Sequence, residues 1–176
     1  IVVLHNLLTS RSVEEVISAS GAKPVRTKVG HSLIKDQMAD TGAVFGGEHS
    51  AHYYFRDFWG ADNGMLAALH LISELGINSE PMSHLSARYT PYLSSGEINS
   101  TVEDRAAAIA RLKAAFPDAE VEEFDGLTFS STSEIWWWFN VRPSNTEPLL
   151  RLNAESNHEA LLVEIRDKAI KAIRNS

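Results

Sequence analysis

Apolar positions in the first half of the chain switch between two periods. Ile1-Val2-Val3-Leu4-His5 is a β-branched run of the kind buried on both faces of a parallel sheet. Val13, Val16 and Ile17 then recur at helical spacing behind Ser12-Val13-Glu14-Glu15, a match to a capping box, until Gly21 stops the helix. Residues 24–28 read as a second strand. Residues 31–40 read as a helix turning Leu33, Ile34 and Met38 inward and ending near Gly42. Ala43-Val44-Phe45 is a third strand running into Gly46-Gly47. Residues 52–55 form one more short strand, and a helix over about 63–75 closes at Gly76. Strand-helix-strand-helix-strand predicts an open α/β sheet with right-handed crossovers.

The pattern changes after residue 77. Periodicity fades to about residue 96 while Ser, Pro and Asn become frequent, which reads as a connecting stretch. Residues 97–100 form a short strand, and Ser100-Thr101-Val102-Glu103 reads as a second capping box before an alanine-rich helix ending at Pro117. Asp125-Gly126, between apolar runs at 121–124 and 127–129, is a two-residue hairpin signal. Residues 135–141 and 149–154 are further strands. Ser156-Asn157-His158-Glu159 caps a last helix whose stripe is Leu161, Ile165, Ala169 and Ile173. Strands bracketed by two helices predict a small α+β domain. The expected organisation is an α/β domain over 1–84, a linker over 85–97 and an α+β domain over 98–176.

Composition narrows the partners. The 176 residues carry a net charge of −7 with no Lys/Arg-rich run, which argues against duplex nucleic acid or an anionic membrane as partner. There is no cysteine, so disulfides, Cys-based zinc sites and thiol nucleophiles are excluded. A chain that opens inside an apolar strand reads as a piece of something longer.

Two loops carry candidate chemistry. Gly46-Gly47-Glu48-His49-Ser50-Ala51-His52 leaves a buried strand, where ligands of open α/β sheets gather. Its glycines let backbone come close, while Glu48, Ser50 and His52 offer an acceptor, a two-way hydroxyl and a titratable donor, a set suited to a polyol. A strand-to-strand turn with a polar rim explains the same residues. Metal binding lacks a strong third ligand beside His49 and His52. The second loop, Val141-Arg142-Pro143-Ser144-Asn145-Thr146-Glu147-Pro148, joins a planar fork of donors to hydroxyls, a carboxamide and backbone N–H groups. Stiffened by two prolines, it is either a plain hairpin turn or a cup for an anion. His31 after Gly30 stands at a helix start. Asp57, Asp62 and Asn63 could bind Mg²⁺ but suit helix capping better. Trp136-Trp137-Trp138 must alternate faces, and Tyr53, Tyr54, Phe55, Phe58 and Trp59 read as packing residues.

Taken together, GGEHSAH with its following aromatics, KVGHSLIK over 28–35, RPSNTEP and a terminal helix resemble the C-terminal half of bacterial phosphomannomutases, in the α-D-phosphohexomutase family. The resemblance spans essentially the whole chain. It implies a three-layer α/β domain with a mixed, mostly parallel sheet. A small α+β domain would follow, its antiparallel sheet carrying helices on one face as in the TATA-binding protein. These would be the third and fourth of four domains around a cleft. It further implies that Glu48, Ser50, His52 and His31 hold the sugar and that Arg142, Ser144, Asn145 and Thr146 grip the phosphate that is not reacting. The implied reaction moves a phosphoryl group between O6 and O1 of mannose or glucose through a hexose 1,6-bisphosphate. A phosphoserine and Mg²⁺ held by N-terminal domains of the same cytoplasmic enzyme would serve it. Segments like Thr-x-Ser-His-Asn-Pro or Asp-Gly-Asp-x-Asp-Arg are not found here, so this half would recognise substrate without breaking bonds. Some relatives carry a lysine where this chain reads Asn6-Leu7-Leu8-Thr9-Ser10, and Gly where Ala51 stands. The competing reading is a stand-alone phosphosugar-binding or regulatory module.

Overall fold

The computed structural model describes residues 1–78, 80–144 and 147–175. Its contacts divide the chain into two compact units, Ile1–Pro91 and Tyr92–Ser176. In the first, β1 (Val2–Asn6) runs parallel to both β2 (Lys23–Thr27) and β3 (Phe45–Gly47). β4 (Tyr53–Phe55) and β5 (Ala61–Asp62) extend the sheet antiparallel, giving the order β2-β1-β3-β4-β5. The crossovers are α1 (Arg11–Ala19) and α2 (His31–Thr41). Because β2 and β3 flank β1 on opposite sides, right-handed connections put these helices on opposite faces. Ile34 and Met38 of α2 pack with Leu4, Ala43 and Tyr54 into the core of one face. α3 (Gly64–Ile77) and α4 (Met82–Tyr89) complete the unit.

Several expected boundaries move, each for a local reason. α1 is capped by Ser10, whose hydroxyl accepts from the Ser12 amide at 3.2 Å, so Ser12 lies in the first turn. Its buried hydroxyl donates instead to the Tyr89 carbonyl at 3.1 Å. Val16 and Leu33, expected inward, are 44% and 46% exposed. Asn63 caps α3 by accepting from the Leu66 amide at 2.9 Å, and Gly76 sits inside that helix rather than closing it. α3 buries none of its residues, although it is apolar on nearly every side, with Met65, Leu69 and Ile72 among the exposed. Trp59, read as packing, is 84% exposed.

The second unit runs β6 (Leu93–Ser94), β7 (Ile98–Thr101), α5 (Arg105–Ala115), β8 (Glu120–Glu123), β9 (Leu127–Ser131), β10 (Trp137–Pro143), β11 (Leu149–Ser156) and α6 (Glu159–Arg174). All its pairings are antiparallel, in the order β6-β11-β10-β9-β8, with β7 also on β11. Residues 85–97, read as a linker, thus hold the end of α4 and the whole of β6. Alternation sends Phe139, Val141, Leu150, Leu152 and Ala154 to one face, where α5 and α6 cover them. The opposite face carries Trp138, Asn140 and Arg142 against their register partners Glu155, Asn153 and Arg151.

Pairing also overrides two caps. Ser100 and Thr101 stay extended because they pair with Leu150 and Leu149, so Asp104 caps α5 through the Ala107 amide at 2.9 Å. Ser156 belongs to β11, although its hydroxyl still accepts from the His158 amide at 3.1 Å. In α6 the buried stripe begins at Leu162 rather than Leu161.

Glu123 pairs with Leu127, which makes the hairpin a three-residue loop ending on Gly126 at φ +71°. A methyl group at Gly126 would strike the Val141 carbonyl and come within 2.9 Å of the Arg142 Cα. Gly126→Ala is therefore expected to cost about 3 kcal/mol, combining left-handed strain with overpacking. Gly60→Ala, at φ +60° in open space, should cost only about 1 kcal/mol. Urea unfolding of both variants measures the difference.

Candidate functional site

In the first unit the chemistry collects where β1 and β3 end. Residues 48–52 form a closed turn in which the Glu48 amide donates to the His52 carbonyl at 2.9 Å and the Ala51 amide to the Glu48 carbonyl at 3.1 Å. The turn needs a left-handed residue, and Ala51 takes that role at φ +64°. Ser50 and His49 stand exposed at the tip, while Glu48 is only 6% exposed.

Glu48 is held from both sides. Its Oε1 accepts from the Tyr54 hydroxyl at 2.7 Å and its Oε2 from Asn6 Nδ2 at 3.4 Å. Tyr54 has a single proton and gives it to Glu48. Its oxygen, 3.0 Å from His31 Nδ1, can then only accept, so His31 carries its proton on Nδ1 and turns Nε2 to other partners. Burial pushes the Tyr54 phenol far above its usual value, with the Glu48 hydrogen bond and charge adding, so it stays a donor. Asn6, 1% exposed, accepts on Oδ1 from the Leu8 amide at 3.2 Å and the His49 amide at 3.3 Å. One carboxamide thereby ties the loop after β1 to the turn after β3.

His52 sits apart from this chain but beside it, with its ring 6.3 Å from that of His31. Its Nδ1 is 2.6 Å from Asp62 Oδ2, and Asp62 Oδ1 accepts from the Tyr53 amide at 2.9 Å. The hydrogen bond to Asp62 raises the His52 imidazole above its ordinary value, the nearby carboxylate charges adding to it. Burial alone would lift Asp62, yet the bonds from His52 and Tyr53 and the charges of His52 and His31 outweigh it and hold the carboxyl low. Glu48, His31 and His52 thus come together with Ser50 on the same turn. Tyr54, Asn6 and Asp62 are the residues that sequence reasoning did not assign to the site. A buried tyrosine hydroxyl always calls for a partner, which was the available signal for Tyr54.

In the second unit Arg142 is the penultimate residue of β10, directly across from Arg151. Arg151 reaches Glu97 at 3.4 Å, whereas Arg142 Nε is buried without a hydrogen-bond partner among the described residues. Like charges directly opposite on one rung repel, and Glu97 offsets only the Arg151 side of the pair. Beneath Arg142, Asn140 Nδ2 lies 3.0 Å from both the Asp125 carbonyl and Thr128 Oγ1, pinning the hairpin against β10. Ser144 is buried, and its amide donates to the Leu149 carbonyl at 3.0 Å, closing the base of the loop. Asn145 and Thr146, named with them from sequence, lie outside the described residues. Among the described residues no group of three or more His, Asp or Glu is placed to hold a metal ion, and no helix is long and apolar enough to cross a membrane.

Comparison with known proteins gives one consistent result. Residues 1–92 match the phosphoglucomutase/phosphomannomutase alpha/beta/alpha domain III, and residues 97–172 match the C-terminal domain of the same family. A phosphomannomutase of Salmonella montevideo is 40% identical over 99% of the chain, and one of Methanocaldococcus jannaschii is 35% identical over 92%. The chain spans 38% and 35% of these relatives' lengths. A phosphoglucomutase/phosphomannomutase family protein from Burkholderia thailandensis superposes with a TM-score of 0.79 at 30% identity, covering 98% of this chain and 37% of the other.

Two expectations follow from the geometry. Tyr54→Phe leaves Glu48 Oε1 buried without its donor, a loss of about 1–3 kcal/mol on urea unfolding. It should also free His31 to change tautomer, visible in its ring ¹⁵N shifts. The His52–Asp62 pair sets a pH window. The raised His52 contributes below its unfolded value of 6.5 and is lost as pH climbs through its higher folded value. The lowered Asp62 contributes above 3.8 and is lost as pH falls through its lower folded value. The pair is complete between those reference values. An NMR titration should place the His52 midpoint above 6.5, and Asp62→Asn should lower it.

Proposed function

Because the chain belongs to the phosphoglucomutase/phosphomannomutase family, whose third and fourth domains it carries, we propose that it is the substrate-recognising part of a phosphohexomutase. The whole protein interconverts hexose 6-phosphate and hexose 1-phosphate through a hexose 1,6-bisphosphate, with mannose or glucose as the sugar. Glu48, Ser50, His52 and His31 hold the sugar. Arg142 and Ser144, together with Asn145 and Thr146, hold the phosphate that is not being transferred. The reading rests above all on Arg142, whose buried Nε has no partner among the described residues and fits a phosphate oxygen.

Each residue has a task that its surroundings support. An ionised Glu48 can only accept, so it selects hydroxyls that point their protons toward it, and Tyr54 fixes where that acceptor stands. Asp62 favours the protonated form of His52, which gives the site a cationic donor beside the sugar. Arg142 binds by charge and not by sugar shape, which suits a reaction in which each phosphate takes its turn at the clamp. The phosphoserine, and the Mg²⁺ that would neutralise charge on the transferring group, belong to residues outside this chain.

Calorimetric titration of mannose 6-phosphate into the 176-residue chain tests the assignment. Arg142→Ala should weaken binding by about 2–3 kcal/mol, roughly 30- to 150-fold, the worth of charge-assisted hydrogen bonds. Ser50→Ala should weaken mannose 6-phosphate but leave inorganic phosphate unchanged. Equal affinity in wild type and Arg142→Ala would overturn the clamp. In the full-length protein Arg142→Ala should lower mutase activity on both sugars, and the absence of any mutase activity there would favour a binding module.

A further inference from the structure

A cavity of about 580 Å³ lies on the α1 side of the first unit's sheet, away from the Tyr54–His31 face. Val3, Leu4, Val13, Val16, Ile17 and Phe45 are among its lining residues, and the surface it presents is largely apolar. Its volume is that of a small-molecule site. One polar group stands out in the lining. His5 is only 5% exposed, and nothing in the sugar or phosphate reading uses it.

The protonation of His5 follows from its neighbours. Thr9 Oγ1 donates to the Asn6 carbonyl at 2.8 Å, which spends its only proton. The same oxygen is 2.9 Å from His5 Nδ1 and must therefore accept from it. The Nδ1–H tautomer leaves Nε2 as a bare lone pair that takes no hydrogen bond among the described residues. Burial lowers the imidazole below its ordinary value, as does Arg26 across the strand pair, against the opposing pull of Glu14 and the Asn6 carbonyl. The ring is thus neutral at physiological pH. Other polar groups line the cavity too, but Thr9, Ser10, Ser12, Glu48 and Thr90 already spend their side-chain oxygens in hydrogen bonds, which leaves His5 Nε2 as the buried acceptor on offer. A largely apolar surface with that acceptor suits an uncharged ring or short chain bearing a single O–H or N–H.

We propose that this cavity is a second ligand site, distinct from the side of the sugar turn that carries Ser50 and His52, for an uncharged, mainly apolar small molecule that donates one hydrogen bond to His5 Nε2. Such a molecule would lie against Gly47, Glu48 and His49, which line one end of the cavity, and so touch the back of the sugar turn. The inference stands or falls independently of the phosphosugar reading, since it uses neither the exposed side of that turn nor the Arg142 loop.

p-Cresol and toluene are a matched pair of probes, alike in shape and differing by the donor. NMR titration of the 176-residue chain with ¹⁵N-labelled histidine should show saturable p-cresol binding with a shift at His5 Nε2. Toluene should bind about 2- to 13-fold more weakly, the worth of one neutral hydrogen bond. Val16→Trp, at a half-exposed wall position, should narrow the cavity and weaken both without disturbing the core. Equal affinity for the two probes, no shift at His5, no binding of either, or unchanged binding in Val16→Trp each overturns the proposal.

Discussion

Burying the Glu48 carboxylate is the constraint around which the first unit's site is arranged. An ionised carboxyl taken out of water is costly unless hydrogen bonds replace its hydration. At 6% exposure Glu48 draws those bonds from Tyr54 and Asn6, which come from different strands and fix its two oxygens separately. Each donor is then recruited a second time. Tyr54 orients His31 at the start of α2, and Asn6 receives the His49 amide and so holds the turn that carries Ser50 and His52. Four elements are registered on one charge. Tight positioning of this kind is what the proposed sugar site would need, because sugar hydroxyls differ chiefly in direction.

The second unit solves a different problem with the same economy. Strand alternation separates an apolar face under α5 and α6 from a polar face whose rungs end in Arg142 and Arg151. The tight loop at Gly126 lies against the Val141–Arg142 backbone, and Asn140 reaches back to the same loop. Arg142 is therefore carried by a hairpin whose turn, strand and side-chain bonds constrain one another, so its place is set by backbone more than by its own flexible side chain. In the proposed phosphate clamp, such constraint would reduce the entropy lost on binding an anion.

Period and turn chemistry made much of this legible from sequence. The β1 run, α2 with Ile34 and Met38, the Asp-Gly hairpin and α6 all stand close to their expected places because local pattern and tertiary role agree. Cap signals failed where a strand competed for the same residues: Ser100 and Ser156 could each start a helix but are held extended by pairing. Of the site, the turn residues could be named because their composition is unusual. The supports could not. Tyr54, Asn6 and Asp62 are separated in sequence from what they hold, and nothing local reveals that β4 places Tyr54 between His31 and Glu48.

Ala51 adds a point about how such a loop would be dissected in the laboratory. Its side chain is a methyl group, so replacing each loop residue by alanine passes over position 51 and credits every effect to functional groups. Yet the left-handed backbone there is what lets the turn close on Glu48 and His52. Residues that resist this conformation, valine or isoleucine above all, would open the turn while leaving every polar side chain in place. Position 51 is thus a control on backbone shape alone, and it separates the geometry of the loop from the chemistry it presents.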